Sequence, residues 1–179
     1  IEVFDLSSDA LVYHPATHEI ISDSLLSTKD WSENCPVFSP DGRKLYFMTC
    51  KQQDYPMHYK NEQYNLCSID FNPETGTFGE KVDTLFNAVA MDKSLTWPKP
   101  SYDGRFLMFT LLDYGYFSIW HRESDQWLID LKTGEARPID EINSQEADSY
   151  HNWSANSRWI VFTSRRTNGL YSQLFLASI

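Results

Sequence analysis

Phe38-Ser39-Pro40-Asp41-Gly42-Arg43-Lys44-Leu45-Tyr46-Phe47 returns as Pro100-Ser101-Tyr102-Asp103-Gly104-Arg105-Phe106-Leu107-Met108-Phe109. A worn third copy is Trp153-Ser154-Ala155-Asn156-Ser157-Arg158-Trp159-Ile160-Val161-Phe162. Each copy reads as the end of one strand, a tight turn, and a second strand that opens on a cation and runs apolar. Proline pre-sets φ for the turn, aspartate bonds the local backbone, and glycine takes the positive φ that a Cβ resists. Ser39, Pro40, Asp41 and Gly42, with Ser101, Asp103 and Gly104, are therefore structural turn residues rather than a site. In the third copy Ala155-Asn156-Ser157 replaces Pro-Asp-Gly, and asparagine tolerates positive φ, so the turn survives.

A second hairpin alternates with the first. Ser68-Ile69-Asp70-Phe71 leads through Asn72-Pro73-Glu74-Thr75-Gly76 to Thr77-Phe78-Gly79-Glu80, and Leu128-Ile129-Asp130-Leu131 through Lys132-Thr133-Gly134 to Glu135-Ala136-Arg137-Pro138-Ile139. Ala10-Leu11-Val12-Tyr13, His14-Pro15-Ala16-Thr17-His18 and Glu19-Ile20-Ile21-Ser22 follow the same plan. The copies lie roughly 60 and then roughly 50 residues apart, with four strand candidates per repeat, which is the signature of propeller blades. The fold class is all-β: a β-propeller of four-stranded antiparallel blades, of which this chain holds about three to four. Residues 1–31 read as a partial blade, 32–94 and 95–147 as whole blades, and 148–179 as a partial one. Strands are predicted at 34–38, 44–49, 64–71 and 81–85; at 97–100, 106–111, 126–131 and 136–139; and at 150–153, 159–164 and 174–178. Ile1-Glu2-Val3-Phe4 reads as the tail of a strand, and 86–91 and 141–147 as short helical turns.

The composition agrees. The chain has 179 residues, one domain's worth, and 15% are aromatic, which favours strands and crowded interfaces. A net charge of −10 argues against nucleic acid, whose phosphates need a Lys/Arg face. No apolar run is long enough to span a bilayer. Cys35, Cys50 and Cys67 have no zinc or haem spacing and read as buried thiols or one bridge. The chain opens at Ile1 rather than Met, so it is expected to be processed or cut from something longer.

The Ser-Pro-Asp-Gly element with its following cation and apolar strand resembles the WD-repeat-like propeller repeat of TolB-like proteins. Leu66-Cys67-Ser68-Ile69-Asp70 and Trp127-Leu128-Ile129-Asp130 are similar to that family's third-strand pattern. Ser149-Tyr150-His151-Asn152-Trp153-Ser154 with Ser164-Arg165-Arg166-Thr167-Asn168-Gly169-Leu170-Tyr171 resembles TolB-like repeat proteins of Bacteroidetes envelopes. The resemblance covers nearly the whole chain. It implies a propeller and a periplasmic or outer-membrane-associated location. An open arc of blades also implies self-association through its ends, or further blades, because end sheets expose apolar faces.

Blade geometry places the links between second and third strands on the same face as the links between blades. That face carries the long insertions 51–63, 112–125 and 165–170. Long loops on a rigid scaffold are where binding is placed. Their contents are aromatic and amphipathic, so the candidate partner-binding residues are Tyr55, His58, Tyr59, Tyr114, Tyr116, Trp120, His121, Arg165 and Arg166. The competing reading is that these aromatics pack the loops onto the blades. Arg165 and Arg166 together could hold a carboxylate or phosphate, or pair with neighbouring carboxylates. His58, His121 and His151, one per successive repeat, read as satisfied or solvated side chains rather than a metal site. Arg43, Arg105 and Arg158 read as structural, each bridging to a turn carboxylate or covering apolar surface.

No G-x-S-x-G, H-E-x-x-H or phosphate-binding glycine loop is present, and Asp140/Glu141 are adjacent and point apart. The expectation is a non-enzymatic binding scaffold for a protein or peptide, without cofactor. The alternatives are the propeller module of a larger peptidase or glycan-active hydrolase with its catalytic residues elsewhere, or a purely structural domain.

Overall fold

The computed structural model describes residues 8–54 and 57–179. The strand tail expected at Ile1–Phe4 lies outside the described residues. A short hairpin, β1 (Val12–His14) and β2 (Glu19–Ile21), precedes a four-stranded sheet of β3 (Trp31–Phe38), β4 (Lys44–Lys51), β5 (Asn65–Asn72) and β6 (Thr77–Phe86). A second sheet holds β7 (Ser94–Pro100), β8 (Phe106–Leu112), β9 (Asp125–Asp130) and β10 (Glu135–Pro138). The third holds β11 (Asp148–Trp153), β12 (Trp159–Ser164) and β13 (Gln173–Ser178). Every pairing is antiparallel between chain neighbours, and the innermost strand β7 packs between β3 and β11. This is the arrangement of successive blades in a β-propeller.

Apolar side chains on both faces of the middle strands bind the sheets together. Tyr46 and Met48 of β4 pack with Leu95, Leu107 and Phe109 of the second sheet. Met108, from the other face of β8, packs with Ile160 and Phe162 of the third. The outer face of the first sheet, Leu45, Phe47 and Ile69, is covered by Ala10 and Leu26. On the last sheet Trp159, Val161, Leu174 and Leu176 remain exposed.

The repeated turns are built alike. Ser39, Ser101 and Ser154 each donate from Oγ to the residue two ahead, Asp41, Asp103 or Asn156, at 2.6, 2.6 and 2.7 Å. That acceptor then takes the backbone N–H of Arg43, Arg105 or Arg158 at 3.1 Å in all three. In the worn copy the positive φ falls on Ser157 (57°) rather than on Asn156, which takes the aspartate's role instead. The serine hydroxyl and the following N–H hold the carboxyls of Asp41 and Asp103 below the usual carboxylate range. Arg105 reaches Asp130 at 3.1 Å rather than its own turn.

A Cβ at Gly42 would meet nothing within 4 Å, so a side chain there is resisted by backbone conformation alone (φ 70°). Gly42→Val is expected to lower stability by roughly 1–2 kcal/mol, seen as a lower urea midpoint at unchanged slope. Gly42→Asn should lose clearly less.

Two expectations are corrected. Residues 141–147 form turns, closed by Ile142 and Asn143 N–H groups on the Ile139 carbonyl, instead of a helical turn. The innermost strands also begin earlier than predicted, because each is broken by a bulge: register shifts lie between Asn34 and Val37, Thr96 and Lys99, and Ser149 and Asn152. Cys35, Trp97 and Tyr150 occupy these bulges with φ of 50°, 57° and 48°. Three non-glycine residues at one repeat position in the left-handed region show that the bulge belongs to the blade plan.

Candidate functional site

The described parts 52–54 and 57–64 of the first long link and the links 113–124 and 165–172 emerge on one face, with the inter-blade links 87–93 and 139–147 beside them. Gln63 donates to Asp92 at 2.9 Å, Lys93 pairs with Asp113, and Arg122 pairs with Glu146 at 2.7 Å. The first two long links are locked by a buried network. Tyr64 N–H donates to Ser94 Oγ (3.0 Å), Ser94 Oγ–H to the Gly115 carbonyl (2.6 Å), and Gly115 N–H to the Glu62 carbonyl (2.6 Å). The Tyr64 hydroxyl donates to Glu62 Oε1 at 2.8 Å and accepts from Asn34 Nδ2 at 2.9 Å. Burial raises the Glu62 carboxyl above its ordinary value.

On this support stands an aromatic row. Tyr59 meets Tyr114 edge-on at 5.6 Å, and Tyr114 meets His121 at 4.5 Å. His121 Nδ1 lies 2.8 Å from Glu123 Oε1, which also accepts the Asp113 N–H at 3.3 Å. Lys60 Nζ stands 5.8 Å from the Tyr114 ring centre. Tyr116 turns inward onto Tyr64 at 6.1 Å and lies tilted against Phe117 at 4.4 Å. Trp120 is 77% exposed, with the Arg165 guanidinium 6.0 Å from its ring centre.

The structure therefore brings Tyr59, Tyr114, His121, Trp120 and Arg165 to one face. Tyr116 is a packing residue of the loop. His58 is exposed, its N–H donating to the Asp54 carbonyl, and its ring makes no aromatic contact with the row among the described residues. Tyr55 lies outside the described residues. Lys60 and Phe117 join the face although the sequence reading omitted them; Phe117 stood inside the aromatic run itself.

Arg165 and Arg166 do not act as a pair. Arg166 Nη2 donates to Asp148 Oδ1 at 2.8 Å, its Nε to Ser164 Oγ at 2.8 Å, and its head lies 4.7 Å from the Phe175 ring centre. It is a structural clamp on a fully buried aspartate, so of the two readings left open for the arginines Arg166 follows the pairing with a neighbouring carboxylate.

The three histidines do not converge. Among the described residues no group of three His, Cys, Asp or Glu side chains is placed to hold a metal. The three cysteines are free thiols, and burial pushes Cys50 up to about 12 and Cys67 up to about 11. His151 is buried on β11, its Nε2–H donating to the Met108 carbonyl at 3.1 Å, with Nδ1 unbonded. Burial takes it below the ordinary 6.5 to about 3. A histidine depressed by folding adds stability above the unfolded value, and that stability is lost as pH falls. Stability should decline from about pH 6.5 towards about pH 3. His151→Gln should flatten that slope in urea titrations repeated across pH.

The opposite face bears a groove of about 700 Å³ lined by Asp41, Arg43, Lys44, Asp70, Tyr102 and Asp103. Its carboxylates are engaged locally: Asp70 pairs with Lys44, and Asp41 and Asp103 are bound within their turns. On the long-loop face a cleft of about 340 Å³ opens beside Lys60, Asp92, Lys93, Asp113 and Tyr114.

Fold and surface together define a segment of a β-propeller with a built-up loop face. No family model matches the sequence. The chain is 29% identical over 140 residues to a probable dipeptidyl-aminopeptidase B of Penicillium rubens, covering 75% of this chain and 14% of that protein. Among solved structures it is similar to prolyl oligopeptidase B from Galerina marginata (TM-score 0.53, 10% identity, covering 90% of this chain and 22% of that one). It is also similar to an oligogalacturonate lyase from Vibrio parahaemolyticus (TM-score 0.55, 13% identity, 98% and 43%). At such identities these structures establish the propeller, and not the TolB-like repeat family in particular.

The sequence relative corrects the expectation of a non-enzymatic scaffold. That relative is a probable dipeptidyl-aminopeptidase, and the reading it favours is the alternative, a peptidase's propeller module. The scaffold reading drew on the lack of catalytic strings, but that lack describes only these residues. Blade repeats specify a frame and say nothing of the unit it serves.

Proposed function

We propose that this chain is the propeller module of a peptidase whose catalytic groups lie outside these residues, and that its long-loop face contacts the peptide. The observation that carries the reading is the 29% identity to a probable dipeptidyl-aminopeptidase over three quarters of the chain. The aromatic row adds to it. Rigid rings held by the Tyr64–Ser94–Gly115 network offer contact area at low entropic cost, and Lys60, Asp113 and Glu123 beside them supply polar contacts to a peptide backbone, with the buried His121 bracing Glu123 from behind. The narrower TolB-like affiliation, with its envelope location, rests on the repeat strings and belongs to the proposal; cell fractionation tests it.

The test is release of 4-nitroaniline from a panel of dipeptidyl and prolyl-peptide 4-nitroanilides by the full protein. Turnover supports the reading, and silence across the panel contradicts it. Within that assay Trp120→Ala should raise KM severalfold at nearly unchanged kcat. Its Tm should hardly move, since an exposed ring resting on one arginine contributes little to stability. A large fall in Tm would return Trp120 to a packing role.

A further inference from the structure

Arg165 is an arginine without a carboxylate in a chain with a net charge of −10. Its guanidinium makes no hydrogen bond or ion pair among the described residues, and its Nε is buried and unbonded. Buried guanidinium N–H groups otherwise find acceptors, so this head group is missing one. The nearby carboxylates are already taken. Glu146 holds Arg122 at 2.7 Å, and Asp148 holds Arg166 at 2.8 Å and the Ser144 N–H at 2.6 Å.

The backbone around Arg165 is fixed. Its N–H donates to the Ala147 carbonyl at 3.1 Å, its carbonyl accepts from Gly169 N–H at 2.8 Å, and Asn168 Oδ1 accepts the Leu170 and Tyr171 N–H groups at 3.0 Å each. The side chain then projects from a set loop to the Trp120 ring, which comes from the neighbouring blade. An unpaired guanidinium against an exposed indole is a fitting receptor for a planar anion beside an apolar group.

We infer that Arg165 and Trp120 form a carboxylate-binding subsite for the peptide, a pairing that rests on the peptidase reading above. The planar carboxylate meets the outer Nη1/Nη2 end of the guanidinium, which unlike Nε is not buried, and the adjoining peptide side chain lies on the indole. The carboxylate comes from the peptide's C-terminus or from an acidic side chain.

Titration of the full protein with Ala-Ala-Phe, Ala-Ala-Phe amide and Ala-Ala-Glu amide tests this. The free acid should bind about tenfold or more tightly than its amide, as a charge-assisted hydrogen bond is worth. Arg165→Gln should abolish that ratio, and Trp120→Ala should weaken the acid while leaving the Tm unchanged. Tight binding of the glutamate amide assigns the subsite to side-chain carboxylates as well as the terminus, and weak binding restricts it to the terminus; both support it. Equal binding of acid and amide, or a ratio unaffected by Arg165→Gln, overturns this inference alone. Binding of none of the three overturns both it and the reading beneath it.

Discussion

Asp148→Ala should lower the unfolding free energy by about 3 kcal/mol, the lower end of the range for stripping one partner from a buried ion pair. Asp148 is fully buried and accepts from Arg166 Nη2 at 2.8 Å and from the Ser144 N–H at 2.6 Å. Its own N–H donates to the Ser124 carbonyl at 2.9 Å, so it ties β11 to the end of the second blade's long loop. Without the carboxylate, Arg166 stays charged and mostly buried beside Phe162 and Phe175. The lower end applies because water reaches part of that guanidinium. Arg166→Met in the same background should recover much of the loss, since methionine keeps the packing and removes the stranded charge. Urea unfolding of the wild type, both single variants and the double variant measures this. A loss under about 1 kcal/mol for Asp148→Ala would show that the pair lies outside the load of the fold.

The second large effect is Phe109→Ala, expected to cost about 3–5 kcal/mol. Phe109 is fully buried and pairs across β8 and β9 with Trp127. It also meets Phe86, at the end of the first sheet, at 4.9 Å. The ring thus spans two blades, and the cavity left by alanine opens where their sheets join. Val161→Ala is the comparison. It lies on the bare outer face of the last sheet, at the repeat position of Met108, and should cost less than about 1 kcal/mol. Equal losses at the two positions would mean that blade packing does not hold this molecule together.

The frame was legible because its signals are local. A turn needing Ser, Asp and Gly at fixed spacing shows in the string, as does an apolar run such as Leu107-Met108-Phe109 that is buried on both faces. The innermost-strand bulges were not legible. Positive φ at Cys35, Trp97 and Tyr150 goes with the register shift that each innermost strand makes against the second strand of its own sheet, and these residue types do not advertise it. The outermost strand of the first blade was expected at 81–85 and runs Thr77–Phe86, because the stretch Thr77–Glu80 that follows the Thr-Gly turn continues into it across a register shift against β5.

The candidate face was half legible. Topology placed the loops, and the aromatic strings named Tyr59, Tyr114 and Trp120. Nothing in Arg165-Arg166 tells which arginine finds a buried aspartate, since Asp148 lies a whole hairpin away in sequence. His121 and His151 look alike in the string, yet one lies against Glu123 on the loop face and the other is shut against β8.

Photo-crosslinking of the full protein with a short peptide carrying a benzophenone side chain, mapped by mass spectrometry, tests the account most directly. Adducts should fall on residues 113–124 and 165–172, with Trp120 and its neighbours foremost, and should be displaced by unlabelled peptide. Adducts concentrated in the groove around Asp41, Tyr102 and Asp103 would contradict it and move the peptide to the face of the Ser-Pro-Asp-Gly turns.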